Sequence, residues 1–391
     1  MKILSNQELE KLFNIRERLC VSLYLPTEKA GSETRQNSIG FKNLLHEAES
    51  KLIDSGLTAS EAAEFLQEAN ALIDNYDFWQ HQAEGLAYFQ TQNTAHYYCL
   101  PENFTSSVEI SDRFYLKPLL PLFTKNNEFY LLALAQNEIR LFRGNKYGLQ
   151  PLELPEDVPA SFDEAMRYED PEKQLQSHST QGDRNPVFHG QGAGNSDSKN
   201  DILRYFQQID RGLSSFLKSK QIPLILAGVD YLFPLYQEAN SYATLLPKGI
   251  VGNPEHLSSE ELYQKAQPII QSQFHQAEQE AKQEYQELLA TKQASADIKQ
   301  IIPAAYNGQV DTLFITANLR CWGKFKPETN SIQVEQNSTE DNLDLLDFAA
   351  IHTFLQGGVV YLMPQEQMPD AESVAAIYRY PVYANSEKTA S

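Results

Sequence analysis

Residues 189–218 read HGQGAGNSDSKNDILRYFQQIDRGLSSFLK, a glycine-rich run that leads into a long amphipathic segment. Apolar side chains recur there at steps of three and four, which predicts a helix with one buried face. The members of this apolar stripe are Ile202, Phe206, Ile209, Leu213 and Phe216. Arg204, Arg211 and Lys218 recur every seventh residue, so on a helix they lie opposite the apolar stripe. We interpret these cations as a surface for phosphate groups, and a solvated outer face is the alternative.

The glycine-rich run predicts a loop with an exposed tip. Gly190, Gly192 and Gly194 stand shortly before the N-terminus of the helix, where backbone N–H groups can face an anion. No Lys-Ser/Thr pair follows them, and the spacing is not that of a dinucleotide-binding motif. Glycine supplies backbone freedom here, because it adopts positive φ without a steric penalty. We therefore expect a mobile loop over 186–198 that carries Gln191 at its tip, with a passive linker as the alternative.

The flanking segments predict strands and helices in alternation. Residues 129–135 and Leu224–Gly228 are apolar runs of strand length, and residues 138–143 alternate between apolar and polar. This order predicts an α/β fold, with three layers in the last domain. Because the chain has 391 residues, we expect more than one domain. The predicted division is 1–115 for an N-terminal α/β domain, 116–220 for a middle domain with the loop and long helix, 221–385 for a C-terminal domain and 386–391 for a disordered tail.

Composition restricts the partners that the protein can have. The formal net charge is −20, so the surface repels phosphate backbones, and we expect no DNA partner and no indiscriminate RNA binding. No apolar run approaches the roughly 20 residues that cross a bilayer, so no membrane partner is expected. Residues 1–5 lead into a charged stretch without a signal-peptide pattern, and three well-separated cysteines argue against a disulfide framework. These features predict a cytoplasmic protein.

The sequence contains no pattern of a self-contained catalytic centre. Its eight histidines form no H-x3-H pair, and there is no G-x-S-x-G elbow. We therefore expect no metal and no cofactor. A metal-dependent nuclease would need carboxylates that converge on the middle-domain sheet, and the predicted strands offer Glu138 and Glu153. That hypothesis, and a protein-interaction module that uses the acidic surface, are alternatives.

Three features that follow one another along the chain resemble the middle and C-terminal domains of archaeal and eukaryotic class-1 peptide-chain release factors and of their relative Pelota. The first is the glycine-rich loop with its long helix, 189–206. The second is 224–231, similar to the strand and turn that open the last domain of that family. The third pairs 304–313 with the closing strand 375–380. With its N-terminal domain included, the whole chain resembles the bacterial archaeo-eukaryotic release factor family.

The resemblance implies an RNase-H-like middle domain and a three-layer α/β/α C-terminal domain shaped like the ribosomal proteins that bind kink-turn RNA. It implies work on the ribosome or on tRNA, either hydrolysis of peptidyl-tRNA or rescue of stalled ribosomes. In release factors a Gly-Gly-Gln tip positions water in the peptidyl-transferase centre, so Gln191 between Gly190 and Gly192 is the implied catalytic residue. This chain reads Gly-Gln-Gly instead. Pelota has the same architecture without a hydrolytic tip, so a non-catalytic scaffold is the alternative.

Overall fold

The computed structural model describes residues 4–29, 34–123, 128–135, 137–167, 195–217, 222–337 and 342–382. The chain forms two compact units. The first unit combines Met1–Thr124 with Glu278–Ser391, and the second unit is Lys125–Ala277. Sheets with helices packed on them make up both units, which confirms the predicted multi-domain α/β fold.

The N-terminal part of the first unit is an antiparallel sheet covered by helices. Its strands, in the spatial order β3-β2-β1-β4, are β1 (Cys20–Pro26), β2 (Gly85–Gln90), β3 (Ala95–Leu100) and β4 (Ser107–Ser111). Its helices are α1 (Asn6–Asn14), α2 (Thr34–Asp54), α3 (Ala59–Phe65), α4 (Gln67–Ile73) and α5 (Tyr76–Gln80). Successive strand residues face opposite sides of a sheet. Leu23 accordingly packs with the helix residues Phe41 and Leu45, whereas Tyr24 joins a core that contains C-terminal residues.

The second unit is built on a five-stranded sheet in the order β7-β6-β5-β8-β9. The strands are β5 (Phe129–Leu134), β6 (Ile139–Asn145), β7 (Gly148–Leu152), β8 (Leu224–Gly228) and β9 (Ile250–Val251). β5, β6 and β7 form antiparallel pairs, whereas β8 runs parallel to β5 and β9 runs parallel to β8. The carboxyl ends of the three parallel strands therefore meet at one edge of the sheet.

The domain boundary predicted at residues 220/221 falls inside this sheet. β8 pairs with β5 from Tyr130 opposite Leu224 to Ala133 opposite Ala227, and both strands are buried along their whole length. A boundary between them would divide one hydrogen-bonded ladder and its two apolar faces. The apolar run predicts the strand at the right position, but local sequence contains no signal for its pairing partner. The division in the structure lies after Ala277.

Helices cover both faces of the five-stranded sheet. They are α6 (Phe162–Arg167), α7 (Asn195–Leu217), α8 (Leu232–Ala239) and the beginning of α9 (Ser259–Leu288). Tyr130 and Leu132 face the core formed with α7 and α8, and their neighbour Leu131 faces the core formed with α9. Ser258 and Glu261 form a capping box at the start of α9, where Ser258 Oγ accepts a hydrogen bond from Glu261 N at 3.2 Å and Ser258 N donates to Glu261 Oε2 at 2.8 Å. The second unit thus has three layers.

The C-terminal part of the first unit contains two small sheets. Their strands are β10 (Ala294–Ser295), β11 (Val310–Thr316), β12 (Trp322–Lys326), β13 (Ser331–Glu335), β14 (Leu343–Asp344), β15 (Val359–Met363) and β16 (Val374–Tyr378). One sheet has the order β10-β16-β11-β15, and the other has the order β13-β12-β14. The helices are α10 (Ile298–Tyr306) and α11 (Leu345–Leu355). Both helices share one core with N-terminal residues such as Leu12 and Phe89, so the two ends of the chain form a single unit.

Buried charges lie inside this first unit. Lys117 is 1% exposed, and its Nζ donates a hydrogen bond to Leu319 O at 2.7 Å and lies 3.5 Å from Asp344 Oδ2. Asp347, on the first turn of α11, accepts hydrogen bonds at Oδ1 from Leu116 N at 2.9 Å and Lys117 N at 2.5 Å. These contacts attach the segment after β4 to α11.

Candidate functional site

The long helix α7 forms as the sequence predicts, with its apolar stripe against the sheet. Phe206, Ile209 and Leu213 are buried, and Ile202 and Phe216 pack against the same core while partly exposed. This confirms the predicted orientation of the helix, because the side chains at steps of three and four all face the core.

A glycine sets the distance between α7 and the chain before α6. A Cβ built on Gly212 would lie 2.6 Å from Val158 Cγ2 and 2.9 Å from Asp157 O. Such distances are too short for a side chain, so the helix approaches this turn closely only because residue 212 is a glycine. The close approach fixes the position of the outer face of α7.

The outer face of α7 carries the two described cations of the predicted stripe. Both Arg204 and Arg211 are exposed. The side chain of Arg204 is 62% exposed, and its Nη1 lies 3.9 Å from Asp201 Oδ1, an exposed pair of little energetic weight. Within the described part of the chain, Arg211 has no ion pair at all. Seven residues separate the two arginines, a distance of about 10 Å along the helix.

The nearest acidic residue to Arg211 in sequence is held by another partner. Asp210 accepts a hydrogen bond from Ser241 N at 2.9 Å and from Ser241 Oγ at 2.7 Å. Its carboxylate therefore attaches α7 to the loop after α8. The outer face of α7 therefore presents two arginines that remain exposed to solvent.

The other predicted site residues lie outside the described residues. These are Gly190, Gln191 and Gly192 of the predicted loop and Lys218, the third cation of the stripe. The predicted loop up to residue 194 and the predicted tail, 386–391, also lie outside the described residues. The backbone of residues 195–198 is helical and belongs to α7, so the prediction that the loop extends to residue 198 is wrong for its last four residues.

The structure also contains a cavity that sequence reasoning missed. A volume of about 380 Å³ lies where β5, β8 and β9 end, beside α7, and we call it the edge cavity. It is lined by Leu134, Ala135, Asn137, Phe162, Ile202, Tyr205, Phe206, Val229, Tyr231, Leu232, Asn253 and Glu255. Ligands of open α/β sheets commonly bind outside the carboxyl ends of the strands. The signal that the sequence offers is a polar residue, Asn137, shortly after the predicted strand 129–135.

Hydrogen bonds organise the polar rim of the edge cavity. Asn137 Nδ2 donates to Glu255 Oε1 at 2.8 Å, and Asn253 Nδ2 donates to Glu255 Oε2 at 3.5 Å. These two hydrogen bonds, the one from Asn137 first, lower the pKa of Glu255. The carboxylate is therefore ionised at neutral pH and fixed at the rim.

The two carboxylates considered for a nuclease do not form a cluster with a third ligand. Glu138 Oε2 lies 3.8 Å from Arg140 Nε, and Glu153 follows the end of β7. Across the described ranges, no group of three or more His, Cys, Asp or Glu side chains is arranged to hold a metal ion. In the same ranges, none of the helices combines the length and the apolar character that crossing a membrane requires.

The structure defines an α/β protein in which Lys125–Ala277 forms a three-layer unit, and the segments before and after it in the sequence form the other unit. Residues 129–272 of this second unit match the model of bacterial archaeo-eukaryotic release factor family 7, which confirms the predicted family resemblance over that segment. The matched residues extend from β5 into α9, so they include β8 and agree with the unit seen in the structure.

Several solved structures are similar to the chain at low sequence identity. An archaeal translation termination factor, aRF1, is 16% identical with a TM-score of 0.26, covering 96% of each chain. An archaeal Pelota from a ribosome-bound model with ABCE1 is 12% identical with a TM-score of 0.40, covering 74% of this chain and 73% of that chain. Dom34 of S. cerevisiae is 12% identical with a TM-score of 0.35, covering 74% of each chain. No curated protein matches.

Proposed function

We propose that this protein is a translation factor that binds the ribosome or ribosome-bound tRNA through the outer face of α7. One observation carries the proposal: the unit that matches a release-factor family exposes Arg204 and Arg211 on a single helix face. Lys218, which follows Arg211 by seven positions in the sequence, is the third cation of the proposed RNA contact. The RNase-H-like character of this unit and the kink-turn-protein-like shape of the C-terminal residues are parts of the same proposal.

The charge distribution supports a local contact with RNA. A chain with a formal net charge of −20 is repelled by nucleic acid over most of its surface. Binding through α7 would then require an RNA shaped to meet that face while the rest of the protein stays at a distance. This property would disfavour free RNA and DNA and favour a large, structured partner in the cytoplasm.

The proposed chemistry depends on the loop that precedes α7 in sequence. In the hydrolytic version, Gln191 and the backbone amides of Gly190 and Gly192 position water and stabilise the oxyanion at a peptidyl-tRNA ester, and the ribosome supplies the remaining groups. In the scaffold version the loop has no part in hydrolysis, and the protein acts by occupying stalled ribosomes. Both versions need the same binding face.

The binding step is tested by co-sedimentation with intact and stalled bacterial ribosomes over a series of salt concentrations. Replacing Arg204 and Arg211 together by Ala should weaken binding and reduce the slope of log K against log salt by about 1.5, since each phosphate contact contributes 0.7–0.9. The matched control is Lys248→Ala with Lys265→Ala, which removes two exposed charges of the same unit that are not on α7. If wild-type protein fails to sediment with either kind of ribosome at low salt, the proposal is wrong. Capture of non-ribosomal proteins would then favour an interaction module.

The two versions are separated by peptide release from ribosomes loaded with peptidyl-tRNA. The hydrolytic version predicts release by wild-type protein and a loss of about 100-fold or more in Gln191→Ala, comparable to the removal of an oxyanion donor. Gln207→Ala, which changes an exposed glutamine on α7, is the control. Binding without release in wild-type protein would support the scaffold version.

A further inference from the structure

The walls of the edge cavity are apolar and aromatic. Leu134 comes from the end of β5, Leu232 comes from the start of α8, and Ile202, Tyr205 and Phe206 come from α7. Tyr205 is 3% exposed, and its ring meets Phe162 edge-on with centroids 5.5 Å apart. A volume of about 380 Å³ falls within the range of pockets that hold small organic molecules. The walls therefore fit a flat or branched apolar group.

The rim carries negative charge. Glu255 is held by Asn137 and Asn253, as described above, and each carboxylate oxygen has a second lone pair for a donor from outside. Among the described residues that line the cavity, there is no lysine and no arginine. A phosphate or carboxylate at the rim would meet Glu255 with no compensating Lys or Arg among those lining residues, whereas a protonated nitrogen would gain an ion pair.

An aromatic face adds to this preference. Tyr231 lines the cavity and is 55% exposed, and Val229 beside it is 37% exposed, so both stand at the mouth. A cation near the face of a tyrosine ring is attracted by the ring quadrupole. The carboxylate, the aromatic ring and the apolar interior together favour a ligand that carries a positive charge and an apolar group of a shape that fits the cavity.

We propose that the edge cavity binds an organic amine, with an apolar group inside the cavity and a protonated nitrogen at Glu255. The same chemistry is offered by a free arylalkylamine and by a tryptophan or leucine next to a lysine in a partner peptide. The site does not depend on the proposed function, because it uses neither the exposed arginines of α7 nor the predicted loop.

The test compares ligands of equal shape and opposite charge on the full-length protein. Tryptamine, indole-3-propionate and the peptide Ac-Lys-Trp-Lys-NH2 are titrated by ligand-observed NMR. We expect tryptamine and the peptide to bind at least about tenfold more tightly than indole-3-propionate, because their ammonium groups form an ion pair with Glu255, whereas the carboxylate of indole-3-propionate is repelled by it. If the peptide binds more tightly than tryptamine, the ligand of the cavity is part of a partner peptide. If tryptamine binds more tightly than the peptide, the ligand is a small molecule.

Two variants locate the binding. Glu255→Gln keeps a hydrogen-bonding group and removes the charge, so it should weaken tryptamine about three- to tenfold. Glu238→Gln, an exposed residue on α8 outside the cavity, is the control and should bind like wild type. Val229→Trp places a large ring at the mouth and should abolish binding, with circular dichroism to verify folding.

Three outcomes would overturn the proposal. The first is equal or tighter binding of indole-3-propionate. The second is a Glu255→Gln affinity equal to that of Glu238→Gln. The third is the absence of saturable binding of both amines at millimolar concentration. None of these measurements involves a ribosome. A negative result for the edge cavity therefore does not affect the test of ribosome binding by co-sedimentation.

Discussion

Asp347 is a buried carboxyl group whose titration should control the stability of the first unit. Burial, and then the nearby charge of Asp344, raise its pKa from 3.8 to about 7, although Lys117 and two backbone N–H groups act in the opposite direction. Between pH 3.8 and about 7, Asp347 is protonated in the folded protein and ionised in the unfolded chain. Stability from this group is therefore complete below pH 4 and is lost as the pH rises through 7.

The magnitude follows from the linkage between proton binding and folding. Each pH unit between the two pKa values changes the free energy of unfolding by about 1.4 kcal/mol, so raising the pH from 5 to 8 should remove roughly 2 to 3 kcal/mol. In Asp347→Asn the titration is absent, yet Oδ1 of the amide can still accept the hydrogen bonds of Leu116 N and Lys117 N. As the pH rises from 5 to 8, the free energy of unfolding of the variant should therefore increase by roughly 2 to 3 kcal/mol relative to that of wild type.

The assay is urea unfolding followed by tryptophan fluorescence. Both tryptophans, Trp79 and Trp322, belong to the first unit, so the signal reports that unit. His352 has the opposite pH dependence: burial, then Arg16 and Arg113, lower its pKa from 6.5 to about 4, so its contribution to stability is complete above pH 6.5 and is lost as the pH falls from 6.5 through 4. Because both proteins contain His352, its contribution cancels in the difference. A difference that is constant from pH 5 to 8, or that favours wild type at high pH, would refute the reasoning.

Two further substitutions test the packing on which the site depends. Gly212→Ala should destabilise the second unit by about 1 to 3 kcal/mol, because the new methyl group overlaps Val158 and Asp157 O. The loss of stability is measured by tyrosine fluorescence or by hydrogen exchange of α7. The control is Ser215→Ala, on the exposed face of α7. Lys117→Met should cost the first unit about 3 to 5 kcal/mol in urea unfolding at neutral pH, because it leaves Asp344 without its cation 3.5 Å away. Adding Asp344→Asn should recover part of that loss, and a double variant less stable than Lys117→Met would contradict this explanation.

Sequence periodicity predicted the elements of this protein better than their assembly. The positions of β8 and α7 follow from patterns within a few residues, and the structure has both where the patterns place them. The partner of β8 is β5, which lies about 90 residues earlier in the chain, so no local signal assigns the two strands to one sheet. Local patterns therefore predict a boundary at 220/221, where the periodicity changes from that of a helix to that of a strand.

The buried charges show a second limit of local patterns. Asp347 stands within the apolar run Leu345-Leu346-Asp347-Phe348, where a carboxylate has no evident purpose. Its partners are two backbone N–H groups that are about 230 residues away in sequence. The edge cavity is similar, since its walls come from strand ends, α6 and α7. Sequence spacing identifies faces of single elements, whereas these sites arise between elements.

The position of α7 makes the two proposed sites separable by charge. Its outer face presents Arg204 and Arg211, while the side toward the edge cavity presents Ile202 and Tyr205 near a rim that carries Glu255. A phosphate ligand is attracted by the first surface and repelled at the second, and an amine shows the reverse preference. Removing both arginines should therefore weaken ribosome binding and leave tryptamine affinity within about twofold of wild type, because screened charges on opposite sides of a helix interact weakly. A larger change in tryptamine affinity would mean that the arginines and the cavity form one site, which would then have to bind a ligand with both charges.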